Sequence, residues 1–412
     1  MIQFEKFTLD NGLRVLVHED KSTPMAVINV VYDVGARDEN PSKTGFAHLF
    51  EHLMFGGSIN IPSYDEPLQV AGGENNAFTT NDFTVYHCQV PAENIETVFW
   101  LESDRMLSLA FSEKSLEVQR KVVCEEFKEN YINKPYGDVW HKIRELAYTT
   151  HPYRWMTIGK ELSHVENATL QDVKDFFFKH YTPANAILVV AGNINVEQIK
   201  QLSAKWFGPI PSGEKYQRNL PAEPPQKEAR SEKVKANVPL DALYKCWHIY
   251  PRTDNRYYTA DLLSEILSGG GSSRLVQALV KEKKLFSNIE CYHLGSTDAG
   301  LLTIEGKLVK GVKMEDAEAA IIEEINKVQQ SGVNEDELQK VKNKSESLMA
   351  FEDMSVSNRA TSLGIYELLG DANLINTELE KYQAVTTKEI IEESKKIFES
   401  TNCSTLYYYA NN

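Results

Sequence analysis

The chain has 412 residues, more than one hydrophobic core normally organises, so two domains are expected. Hydrophobic residues at 42% and charged residues at 25% describe an ordinary soluble globular protein. A net charge of −15 without a basic stripe argues against nucleic acid, and no apolar run reaches the roughly 18 residues of a membrane span.

The opening residues 1–6 lack the basic, apolar, small-residue progression of a secretory leader. A cytoplasmic location is expected, or a periplasmic one if a leader has been removed. The five cysteines, Cys88, Cys124, Cys246, Cys291 and Cys403, are scattered, odd in number and form no Cys-x-x-Cys pair. That usage fits reduced thiols better than a disulfide scaffold. Acidic balance suits basic peptides, and it is also the common solubility state.

The first strong element is a strand at 26–32. A largely buried helix follows, containing His48-Leu49-Phe50-Glu51-His52, with Ser42 or Thr44 as candidate N-cap and Gly56-Gly57 as its stop. Positions i, i+3 and i+4 share a helix face, so His48, Glu51 and His52 can point at one place. Two imidazoles suit a divalent metal, and a carboxylate beside them can act as a base toward water. The order His-x-x-Glu-His inverts the commoner His-Glu-x-x-His and is the inverzincin pattern. Two histidines and a glutamate in an apolar helix are costly without a partner, which favours a metal over mere hydrogen bonding.

Residues 84–90 alternate as a second strand, and helices are expected at 95–110 and 115–131. The latter carries Arg120-Lys121-Val122-Val123-Cys124-Glu125-Glu126-Phe127, where a third metal ligand is sought. Composition does not choose between Glu125 and Glu126, nor set either apart from a solvated helix face. A buried strand at 186–190 closes the first half. Proline, glycine and charge then concentrate in a linker at 213–232, which separates residues 1–212 from 233–412. In the second half, strands are expected at 242–249, 301–308 and 403–409. Helices are expected there at 257–268, 272–283, 317–330, 335–351 and 388–399. The parallel order of elements suggests a structural duplication.

Together these stretches resemble the pitrilysin family of zinc metallopeptidases (M16), in its short-chain form related to mitochondrial processing peptidase. The resemblance runs through 7–15, Gly35 to Glu39, Gly45 to His52, Asn76 to Tyr86, Arg120 to Glu126, Ala191 to Ile194, Trp206 to Gly208, and Gly269 to Arg274. It implies an α+β fold of two similar domains, each a mixed, mostly antiparallel sheet packed with helices. It implies one zinc ion per chain, held by His48, His52 and Glu126, with Glu51 as general base. Glu125 and Gln119 would stand behind the ligands; many members carry Glu where this chain has Gln119. Asn76, Ala77 and Phe78 would offer a strand edge to an extended peptide substrate, and the second domain would close the site.

The family also uses an Arg and, seven residues later, a Tyr after the glycine-rich entry. Matching Ser272-Ser273-Arg274-Leu275 to that entry puts these roles at Val280 and Ser287, which supply neither a guanidinium nor a phenol. The chain is therefore expected to be the zinc-holding subunit of a pair, with a related non-zinc chain or with itself as partner. A non-catalytic assembly subunit that keeps its metal site is the alternative.

Overall fold

Two apolar runs that alternate poorly because both faces are covered become the centre of a six-stranded sheet. They are β3 (Met25–Tyr32) and β6 (Ala186–Gly192) in the computed structural model, which describes residues 1–411. With β1 (Glu5–Thr8), β2 (Arg14–Glu19), β4 (Glu74–Thr79) and β5 (Thr84–Pro91), the order is β1-β2-β6-β3-β5-β4. All pairs are antiparallel except β2–β6. A second sheet has the order β7-β11-β8-β10-β9. Its strands are β7 (Arg230–Ala236), β8 (Ala242–His248), β9 (Phe286–Leu294), β10 (Leu301–Leu308) and β11 (Cys403–Ala410), antiparallel except for β7–β11. Two helix-packed mixed sheets are the expected fold class.

The chain's contacts divide it differently from the linear boundary. One compact unit contains Met1–Glu129, Trp155–Leu220 and Ala350–Asn376; the other contains Asn130–Arg154, Pro221–Met349 and Thr377–Asn412. Each half thus lends a segment to the other unit. Helix Val356–Leu368 packs on β3 and β6, where Ala360 and Leu363 meet Val27, Val31 and Val189. The Asn29 side chain, on the same face of β3, hydrogen-bonds the Thr361 hydroxyl at 2.8 Å. Gly364 makes the close approach feasible, since a Cβ there would lie 2.7 Å from Val31 Cγ2. Helix Val139–Ala147 likewise packs on β8 and β11 of the second unit. From Pro221 on, the expected linker is pinned within that unit: Glu223 accepts from the Thr149, Thr150 and His151 amides.

The histidine motif occupies the helix Phe46–Leu53, and its capping differs from expectation. Ser42 bonds Asn40 instead, and the Thr44 hydroxyl meets His164 Nδ1 at 2.8 Å and accepts from the Lys160 amide at 2.7 Å. Glu39, six residues before the N-cap position, provides the acceptors. Its carboxylate accepts from the Gly45 amide at 2.9 Å and from the Ala47 amide at 2.8 Å. The N-cap amide and one first-turn amide, which have no partner within the helix, are thereby satisfied. Gly45 has φ 89°, and a Cβ there would lie 2.7 Å from the Ile158 carbonyl oxygen, so both conformation and space require glycine. On the buried side of the helix, Phe50 stacks on Phe176 at 5.1 Å and on Tyr181 at 5.0 Å. Burying such a ring contributes about 2–3 kcal/mol.

Two measurements follow. Gly364→Val forces methyl groups into Val31, and overpacking of this kind costs about 1–3 kcal/mol, so the thermal midpoint drops by several degrees in calorimetry. Burial pushes the Glu39 carboxyl up to about 8, against the opposing pull of its two amide donors. The folded state then binds this proton more tightly than the unfolded state, whose value is 4.5. Its stabilising contribution is complete below 4.5 and is lost as pH rises toward about 8. In urea titrations across that window, Glu39→Gln flattens the decline; an unchanged slope would count against the buried-acid assignment.

Candidate metal centre

The motif helix packs against the edge strand β4 and against the helix Glu113–Phe127. The second helix starts at Ser112, whose hydroxyl accepts from the Ser115 amide at 3.0 Å. Arg120 fixes its middle by donating to the Glu166 carbonyl at 3.2 Å and the Ala168 carbonyl at 3.0 Å. The expected continuation to 131 is not α-helical: residues Lys128–Asn133 form a wider π-type turn.

Between these helices, His48, His52 and Glu126 converge. Both imidazole Nε2 atoms face Glu126 Oε2, at 3.7 Å from His48 and 3.6 Å from His52. One ligand atom from each of the three residues lies within 4.8 Å of the others. Among the described residues this is the one group of three or more His, Cys, Asp or Glu arranged to hold a metal ion. A tetrahedral zinc with bonds of about 2.1 Å separates its ligand atoms by about 3.4 Å, so the donors need only small movements to fit. The two rings meet edge to face, 4.9 Å apart. The three side chains are 14%, 25% and 38% exposed, which leaves one side open to solvent.

The electrostatics favour the ligating forms. Burial lowers the pKa of His48, with His52 acting in the same direction and Glu126 opposing. A hydrogen bond from His52 is the largest influence holding Glu126 below the usual carboxylate value. Neutral imidazole and ionised carboxylate are the forms that bind a divalent ion.

Glu51 is half-buried on the same helix, and its Oε2 accepts from the Thr79 hydroxyl at 2.7 Å. Thr79 ends β4 and was not singled out from the sequence; a lone threonine in a strand carries no chemical signal. Glu125 is not brought into the site. It is 73% exposed and pairs with Lys128 at 2.8 Å, because adjacent helix positions point about 100° apart. Gln119 is half-buried, two turns before Glu126 on the same face. Asn76, Ala77 and Phe78 lie on β4, opposite His87, Tyr86 and Val85 of β5, with the other edge of β4 unpaired in the sheet. Asn76 is exposed, and its Oδ1 accepts from the Ala77 amide at 2.8 Å.

In the second unit, Val280 lies in the π-type helical turn Val276–Glu282 and packs on that unit's core. Ser287 is exposed on β9 and donates to the Lys307 carbonyl at 3.0 Å. The Arg and Tyr nearest in sequence are engaged: Arg274 forks onto Glu337, and the Tyr292 hydroxyl donates to Glu305 at 2.9 Å. Among the described residues, no helix is long and apolar enough to cross a membrane.

Residues 14–158 match the family model described as Insulinase (Peptidase family M16), and residues 167–345 match the one described as Peptidase M16 inactive domain. The zinc protease PqqE of Helicobacter pylori is 28% identical over 409 residues, which is 98% of this chain and 92% of that protein. The mitochondrial-processing peptidase subunit beta of Saccharomyces cerevisiae is 29% identical over 209 residues, covering 50% of this chain and 45% of that protein. The crystal structure of a protease from Helicobacter pylori aligns with a TM-score of 0.92 at 27% identity, over 99% of this chain and 100% of that one. A likeness of fold alone extends to the periplasmic protease PqqL of Escherichia coli, with a TM-score of 0.81 at 17% identity, over 99% of this chain and 48% of that one. With its two halves matched in order by the family's two models and the inverted motif inside the first, the chain belongs to the M16 peptidase family.

Proposed function

We propose that this chain is a zinc-dependent endopeptidase of extended peptides or small unfolded polypeptides, and the zinc-holding member of a pair. The observation that carries this reading is the convergence of His48, His52 and Glu126 on one point, with Glu51 on the same helix. These three residues would hold one zinc ion. When bound, zinc supplies Lewis acidity toward the scissile carbonyl and makes the attacking water more acidic.

Glu51 takes the proton of that water as it attacks and returns it to the leaving amine. Its Oε2 is engaged by Thr79, so Oε1 is the atom available for this transfer. The edge of β4 supplies the binding surface. A peptide added there as a further strand is held by main-chain hydrogen bonds, which tolerate many sequences but require an extended, unfolded segment. Asn76 covers the Ala77 amide in the unliganded strand, so its side chain gives way when the peptide pairs.

The pairing follows from Val280 and Ser287, which leave this chain without the family's Arg and Tyr at those positions. A related non-zinc subunit is the partner we favour over a second copy. The similarity to a chain named as a beta subunit of a processing peptidase supports that choice. The five cysteines are free and buried, in keeping with a cytoplasmic setting.

The alternative, an assembly subunit that retains a metal site, is separated by Glu51→Gln. The purified variant keeps its zinc, measured by elemental analysis, and loses at least about a hundredfold in kcat on an unstructured peptide. Unchanged turnover would remove the base assignment, and zinc without turnover in the wild-type chain with its partner would favour the assembly role. Glu126→Gln, in contrast, lowers zinc content. The chain alone cleaves far more slowly than with its partner; ordinary enzyme rates from the isolated monomer would refute the obligate pair.

A further inference from the structure

We propose that Thr79 is a positioning residue that ties the peptide-binding edge strand to the base; this deepens, and rests on, the reading of Glu51 and β4 given above. Thr79 follows Phe78 as the last residue of β4, and its hydroxyl lies 2.7 Å from Glu51 Oε2. A carboxylate only accepts, so the proton belongs to the threonine. Thr84 stands opposite in the ladder, with its hydroxyl 3.5 Å from that of Thr79. Thr84 is fully buried and donates to the Val34 carbonyl at 3.0 Å, so it does not compete for Glu51.

The end of the strand is itself held rigidly. The Ala36 amide donates to the Thr80 carbonyl at 3.2 Å and the Arg37 amide to the Asn81 carbonyl at 2.9 Å. The Arg37 guanidinium pairs with Asp82 at 3.0 Å, with both side chains buried. Gly35 lets the two segments touch, since a Cβ there would lie 2.5 Å from the Asn81 carbonyl. Thr79 therefore presents its hydroxyl from a fixed point rather than from a mobile loop.

Two consequences follow. The bond removes rotamer freedom from a glutamate side chain, which would otherwise sample several positions around the metal. It also places the base and the peptide on one rigid element. A peptide paired along Asn76–Phe78 is registered by the strand whose next residue orients Glu51. Thr79 acts through Glu51 and touches no reacting atom itself.

The test uses the full chain, with its partner, in three forms: wild type, Thr79→Val and Thr79→Ser. Thr79→Val keeps the shape and deletes the donor. It lowers kcat about tenfold, with KM within about twofold of wild type and zinc content unchanged, and Thr79→Ser restores most of the loss. An unchanged kcat, or a loss that follows zinc or KM, would overturn the proposal. A second measurement is independent of activity. In thermal melts of the metal-free chain, Thr79→Val lowers the midpoint by about 3 °C but has no further effect in a Glu51→Ala background. Equal shifts in both backgrounds would show that no Thr79–Glu51 bond exists. Coupling in the melts beside a zinc-loaded wild type that cleaves nothing would sink the peptidase reading instead, and with it the role of Thr79 toward a base.

Discussion

A helix of eight residues makes too few internal hydrogen bonds to be stable by itself, so the positions of His48, Glu51 and His52 are imposed from outside the helix. Glu39 grips its first turn through the Gly45 and Ala47 amides, and Phe50 anchors its back against Phe176 and Tyr181. With both end and back fixed, the remaining face has little freedom, and the two imidazoles must project between β4 and the Glu126 helix. The cost is a carboxyl group buried without a cationic partner donating to it, which burial drives toward its neutral form. That cost is tolerable because the acceptor bonds it makes would otherwise be missing from a buried helix start.

Across from this helix the constraint is charge rather than packing. His48 and His52 would repel each other if both were protonated, while Glu126 stabilises positive charge on either. Burial of His48 resolves the balance toward the neutral imidazole, and Glu126 remains ionised through its contact with His52. Both directions, toward neutral imidazole at His48 and ionised carboxylate at Glu126, are the ones a divalent ion requires. Glu125, one position earlier and directed to solvent, shows how completely helix geometry separates two adjacent carboxylates.

Much of this was legible in the chain, for reasons that differ by element. The motif spacing is a property of a single helix turn, so His48, Glu51 and His52 could be placed on one face from sequence alone. The strands β3, β6 and β10 announce themselves by apolar runs or by alternation. Choosing Glu126 over Glu125 needed the family resemblance, because composition cannot phase a helix that is charged on most sides. Glu39 was invisible as a cap: capping rules look to the residues flanking a helix, and this carboxylate reaches back across a loop. Thr79 was invisible because its value lies in a tertiary contact. Helix Val356–Leu368 went unread, and its role could not have been inferred, since it leaves the second half to cover β3 and β6. Arg105 belongs to the same class: fully buried, it folds onto Glu102 and the rings of Tyr64 and Tyr86, an arrangement that no periodicity argument yields.

The two sheets show that the converging His48, His52 and Glu126 stand on one copy of a shared strand pattern. In each, the last strand of the half inserts beside the first strand of a shared pattern in parallel and beside the next in antiparallel sense: β6 between β2 and β3, β11 between β7 and β8. On this correspondence β4 matches β9, and both are edge strands. The connection from β3 to β4 contains the motif helix; the connection from β8 to β9 contains the helix Arg256–Ser268. That second helix buries Leu262, Leu263, Ile266 and Leu267 and has no histidine. At the same point of the same pattern, one copy carries two histidines and a glutamate on a helix face and the other carries an apolar stripe. The eight-residue motif helix buries Phe46, Ala47, Leu49, Phe50 and Leu53 behind its imidazole face and is held at its start by Glu39, whereas the longer helix of the second copy packs its apolar stripe into that unit's core.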